Sequence, residues 1–101
     1  MIRHIVAFRL TAEDAAQRDA DAQTARTALL GLEGRVPGLR SIQVERDLGL
    51  VAGHWDLVLV SEHDDNTALE GYQAHPLHKE ASAVVASVVT DRAVVDYEVA
   101  E

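Results

Sequence analysis

The chain predicts an α+β domain of β-α-β-β-α-β order, and three observations carry that prediction. Apolar residues alternate with period two near both ends of the chain and twice in its middle, as half-buried or fully buried strands require. Two further segments repeat apolar residues every three or four positions, the spacing of a helix that buries one face. Glycine and proline punctuate the boundaries, at Gly31, Gly34, Pro37-Gly38, Gly49 and Gly53.

In chain order, residues 2–10 place Ile2, His4, Val6, Phe8 and Leu10 on one face and Arg3, Ile5, Ala7 and Arg9 on the other. Both faces are partly apolar at the centre, which suits an interior strand. Thr11, with Asp14 three residues on, predicts the start of a helix. Ala15, Ala22, Ala25, Leu29, Leu32 and Val36 form its apolar stripe, loosened at Gly31 and Gly34 and closed by Pro37-Gly38. Residues 39–48 set Ile42, Val44 and Leu48 against Ser41, Gln43, Glu45 and Asp47, and the polar face marks a sheet edge. After the connection Gly49 to Gly53, residues 55–60 are apolar on both faces and predict a central strand. Ser61 and Asp64 repeat the capping pattern before a helix carrying Ala68, Leu69 and Tyr72. Pro76 breaks that helix, and Leu77, Ala81, Val84, Val85 and Val88 resume it. Residues 91–99 close the chain as a strand, with Arg92, Val94, Asp96 and Glu98 on one face and Ala93, Val95, Tyr97 and Val99 on the other.

This order is the ferredoxin-like arrangement, in one domain over residues 1–101. Its first and third strands belong at the centre of the sheet, and they are the two with apolar residues on both faces. Helices cover only one side. The other side would expose an apolar patch that a monomer of this size seldom tolerates, so the pattern predicts a homodimer with two sheets stacked face to face.

Charge and composition narrow the partners. A formal net charge of −8 repels phosphate backbones and anionic lipid, so neither nucleic acid nor a membrane is an expected partner. Without cysteine there is no disulfide framework and no thiolate metal site. No secretory leader and no run of about 18 apolar residues is visible, so the expected location is cytoplasmic.

The chemistry concentrates in Tyr72-Gln-Ala-His75-Pro76-Leu-His78. On an unbroken helix Tyr72 and His78 would stand roughly 9 Å apart along the axis and about 120° apart around it. Pro76 removes a backbone donor, orphans the Tyr72 carbonyl and disfavours helical geometry at His75. The chain should bend there and let the two side chains converge. His78 is able to give or take a proton near neutral pH, and the first turn of the resumed helix favours its neutral, basic form. Tyr72 is a candidate oxyanion donor. The competing reading is a packed corner of half-buried polar rings. His4 shares a face with Val6 and Phe8, the setting of a satisfied core histidine. Asp96 shares a face with Val94 and, if buried, needs a partner such as one of the histidines. A metal reading would gather His75, His78, His4 and Asp96, although their spacing matches no zinc helix. His54 and His63 are expected on the solvated surface.

Three segments together resemble one family, the stress-responsive α/β-barrel (Dabb) domain. They are the opening Ile2-Arg-His-Ile-Val-Ala-Phe-Arg-Leu10, the His75-Pro-Leu-His78 segment behind Tyr72, and the closing Val94-Val-Asp-Tyr-Glu98. The resemblance implies a dimeric α+β barrel. A plant polyketide cyclase of that family uses the tyrosine and last histidine of the same Tyr-x-x-His-Pro-x-His motif as acid and base. By that likeness Tyr72 and His78 are the catalytic candidates, with His4 and Asp96 lining the same cavity. Val6, Phe8 and His75 complete the expected pocket. The aromatic lining of the cyclase is missing here, where Ala81, Val85 and Val88 stand instead, so its substrate does not carry over.

Three function classes follow: a small-molecule-binding barrel, a cofactor-free enzyme acting on a small carbonyl, phenolic or polyketide-like compound, and a structural or stress-related protein with a filled barrel. None of them calls for a metal or a cofactor.

Overall fold

The computed structural model describes residues 1–101. Seven elements follow one another: β1 (Ile2–Leu10), α1 (Ala15–Leu30), β2 (Leu39–Arg46), β3 (Leu57–His63), α2 (Asn66–Ala74), α3 (Pro76–Ala86) and β4 (Val89–Glu98). The strands form one antiparallel sheet in the order β2-β3-β1-β4, so β1 and β3 are central as their two-sided apolar pattern requires.

All three helices lie on one side of this sheet. The core between the layers holds Val6, Phe8 and Leu10 from β1, Ile42 and Val44 from β2, and Leu57 and Leu59 from β3. Ala22, Ala25 and Leu29 of α1 and Ala81 and Val85 of α3 close over them. Alanine at these helix positions lets backbone approach backbone, which is how a chain with only 4% aromatic residues fills its interior. Gly38 sets the join between layers. Its φ of +80° favours glycine, and a Cβ there would lie 2.6 Å from the Cβ of Ala68 in α2.

Several boundaries differ from the sequence expectation, each for a local reason. Asp14, not Thr11, caps α1, accepting from the Gln17 backbone N–H at 3.0 Å; Thr11 instead donates its own N–H to the Val88 carbonyl. Ala15 is consequently exposed at the helix start. β2 ends at Arg46 because the Asp47 carboxylate accepts from the Gly49 N–H, turning the chain and leaving Leu48 exposed. β3 begins at Leu57 and runs on to His63. Asp56 ahead of it is held by the Leu10 N–H and by Arg18. Ser61 is therefore a buried strand residue, and the cap of α2 is Asp65, which accepts from the Ala68 N–H at 2.8 Å.

The face without helices carries Ile5, Ala7, Val58, Val60, Ala93, Val95 and Tyr97 on one surface, by the strand register. It is less uniformly apolar than the pattern suggested. Arg3 crosses it to pair with Glu62 at 2.8 Å and to donate to the Tyr97 hydroxyl at 3.0 Å, and Ser41 donates to the same glutamate.

Candidate functional site

The break between α2 and α3 falls at His75, whose φ of −65° and ψ of 136° are extended. The Tyr72 carbonyl, deprived of a donor by Pro76, accepts instead from the His75 N–H at 3.2 Å. His75 then caps the new helix, its ring Nδ1 accepting from the Leu77 N–H at 3.1 Å, with Pro76 in the first helical position. This bend brings the rings of Tyr72 and His78 to 4.5 Å between centroids. An unbroken helix would have kept them apart.

Beside His78 opens a cavity of about 360 Å³, inside the range of small-molecule sites. It lies between the helix-side face of β1, β3 and β4 and the inner faces of α1 and α3. Val6, Phe8, Leu29, Leu59, Val85 and Val89 supply most of its wall. Its polar groups are His4, Gln73, His78, Ser82 and Arg92. Arg92 and Val94 on β4 and Gln73 on α2 are exposed, which puts the mouth on that side.

The expected residues divide among three places. His4, Val6, Phe8 and His78 line the cavity. Asp96 does not, but its carboxylate accepts from His4 Nδ1 at 2.5 Å across the β1–β4 pair, so it governs how that ring is turned. Tyr72 lies behind the wall, with no exposed surface, its hydroxyl buried without a hydrogen-bond partner. His75 faces away, toward the Gly38 turn, and serves the bend. Because His75 turns aside, the four residues of the metal reading are not gathered, and no three His, Asp or Glu side chains are placed to hold an ion.

His63 departs furthest from expectation. It is fully buried rather than solvated, its Nε2 at 2.8 Å from the Ser61 hydroxyl and its Nδ1 without a partner. Its ring stands 4.7 Å from that of Tyr72 and 6.2 Å from that of His4. The parity of β3 could have found it, since Leu57, Leu59, Ser61 and His63 all fall on the face that points to the helices. Gln73, Ser82 and Arg92 were also not singled out as site residues, although Arg92 shares its strand face with Val94 and Asp96.

Electrostatics set the protonation of this cluster. Burial, helped by the neighbouring His4, pushes His63 down to about 4, so it is neutral at physiological pH. His78 is pushed below its ordinary value, first by burial and then by the fields of His4 and Arg92, with the Gln73 backbone acting in the opposite direction. Its imidazole is thus held as a base. Burial raises Tyr72 to about 12, so its hydroxyl keeps its proton and is able to donate it in a hydrogen bond. Ser82, one helical turn after His78, places its hydroxyl 3.4 Å from the ring Nε2.

Solved structures share this architecture. A dimeric ferredoxin-like protein of unknown function from Thermobifida fusca is 33% identical, with a TM-score of 0.80 over 97% of this chain and 90% of that one. A dimeric protein from Bacteroides fragilis, also of unknown function, is 28% identical, with a TM-score of 0.84 over 97% and 95%. The hydroxynitrile lyase of Passiflora edulis is 16% identical, with a TM-score of 0.73 over 99% and 94%, a likeness of fold alone. No curated protein sequence matches the chain. The stress-responsive A/B barrel domain matches residues 2–99, and the chain belongs to that family.

Proposed function

We propose that this protein is a homodimeric barrel that binds a small, largely apolar carbonyl or phenolic compound beside His78. The observation that carries the reading is the cavity of about 360 Å³, walled by aliphatic side chains and entered by a neutral imidazole. That apolar space beside His78 supports this reading over a filled barrel. The dimer follows from the open sheet face, where Val95 and Tyr97 are exposed in the single chain, and from the dimeric state of the similar proteins.

A second reading, a cofactor-free enzyme, is favoured by the buried hydroxyl of Tyr72. An unpaired buried hydroxyl costs about 1–3 kcal/mol, and a site that uses it as a donor recovers that cost. In this reading His78 takes a proton from a carbon next to the substrate carbonyl. Tyr72, reached by a modest shift of the His78 ring, donates to the resulting enolate oxygen.

The test is a thermal-shift and calorimetric screen of small phenols, aldehydes and aryl ketones against the wild type and Val85→Phe, whose added ring fills the cavity. Ligands should raise the melting temperature of the wild type and leave that of Val85→Phe unmoved. Equal responses from both proteins would place binding elsewhere and defeat the reading. Turnover of a bound carbonyl compound, lost in His78→Ala, would support the second reading.

A further inference from the structure

We infer that the pocket selects ligands bearing a carboxylate, held by Arg92 at its mouth while the apolar body enters the cavity. This inference rests on the small-molecule pocket proposed above and names its substrate class. Arg92 stands opposite Phe8 in the β1–β4 register, on the face that looks into the cavity, and is among its lining residues. It is the one permanent charge there, since the other polar lining groups are His4, Gln73, His78 and Ser82.

What sets Arg92 apart is that its guanidinium has no partner. Every other arginine in the chain is engaged. Arg3, Arg18, Arg40 and Arg46 hold carboxylates, Arg26 and Arg35 donate to backbone carbonyls, and Arg9 lies 4.2 Å over the Trp55 ring. Acidic residues outnumber basic ones by 17 to 9, so carboxylates are plentiful on this surface. Even so, the Arg92 side chain bonds none of them. A planar guanidinium offers paired donors matched to the two oxygens of a carboxylate. A net charge of −8 otherwise repels anions, so an anionic ligand needs one such fixed cation to enter. The arrangement also orders the ligand. With the carboxylate at the β4 rim, the adjoining carbons lie between Val6, Phe8 and Val85, on the way to His78.

Isosteric pairs of probes test this: phenylacetate, 3-phenylpropanoate and 4-phenylbutanoate, each against its primary amide, titrated calorimetrically into the wild-type protein and Arg92→Gln. The best carboxylate should bind the wild type about tenfold tighter than its amide, as one charge-assisted pair provides. Arg92→Gln should erase that preference by weakening the acid to the level of the amide, whose own affinity stays unchanged. Equal binding of acid and amide to the wild type, or a preference that survives Arg92→Gln, overturns the inference and leaves the pocket reading intact. Binding of neither member of any pair, up to millimolar concentration, also overturns the inference, while the pocket reading stands or falls with the screen of phenols, aldehydes and aryl ketones.

Discussion

Four rings, His4, His63, Tyr72 and His78, pack in sequence against one another beneath the cavity floor, and only two of them touch it. The buried pair sets conditions for the others. His63 is neutral in the folded chain down to about pH 4, whereas the same side chain in an unfolded chain takes up a proton near 6.5. Between those values the unfolded state binds the extra proton, so stability is unaffected above pH 6.5 and falls as the pH drops toward 4. The loss reaches up to about 3 kcal/mol. Urea unfolding at a series of pH values should show this decline, and His63→Gln should flatten it. An equally steep decline in the variant would assign the acid sensitivity to other groups. Tyr72 makes a sharper prediction. Its hydroxyl has no partner, so Tyr72→Phe should stabilise the free protein by about 1 kcal/mol while weakening ligand binding or turnover. A destabilised variant would mean that the hydroxyl has a structural partner, which contradicts the geometry described above.

At the scale of elements, the α2–α3 break brings Tyr72 and His78 together at the candidate site. Its location was legible in the sequence, because Pro76 removes a helix donor and crowds the preceding turn, a local cost of about 3 kcal/mol written into the covalent structure. The sheet order was legible for a similar reason, since two-sided apolar patterns belong to interior strands. The errors arose where two local signals competed. Ser61 and Asp64 have the spacing of a helix cap, and that reading ended β3 early and sent His63 to the surface. In the fold, pairing of Ser61 with His4 and of His63 with Ile2 continues the ladder instead. Thr11 lost to Asp14 in the same way, by a contact to Val88 that local spacing does not contain. The place of Tyr72 behind the cavity wall, and the lack of a partner for Arg92, depend on packing between distant segments. Gly38 is the position where two elements depend on one residue. Gly38→Ala adds a methyl 2.6 Å from Ala68 and puts a side chain on a left-handed backbone. It should cost about 2 kcal/mol or more in thermal or urea unfolding, partly restored by Ala68→Gly. An unchanged stability would show that α2 is not held where described.

Taken as a whole, the molecule spends its two sheet faces differently. The covered face buries the core and holds the cavity beside His78. The open face presents Ile5, Val60, Val95 and Tyr97 around an ion pair already satisfied within the chain, so a second copy can cover the apolar residues without stranding a charge. Sedimentation should accordingly give a particle of twice 11.0 kDa, and a stable monomer would contradict the dimer. No helix is long and apolar enough to cross a membrane. The central claim, that a ligand lies against His78 in the cavity, is tested most directly by mapping chemical shifts of backbone amides and histidine rings during titration with the tightest ligand found. The account predicts that His78, Ser82, Val85 and Arg92 move together, while His54 and His75, outside the cavity, stay still. Shifts centred on His75 or His54 with His78 unmoved would contradict it.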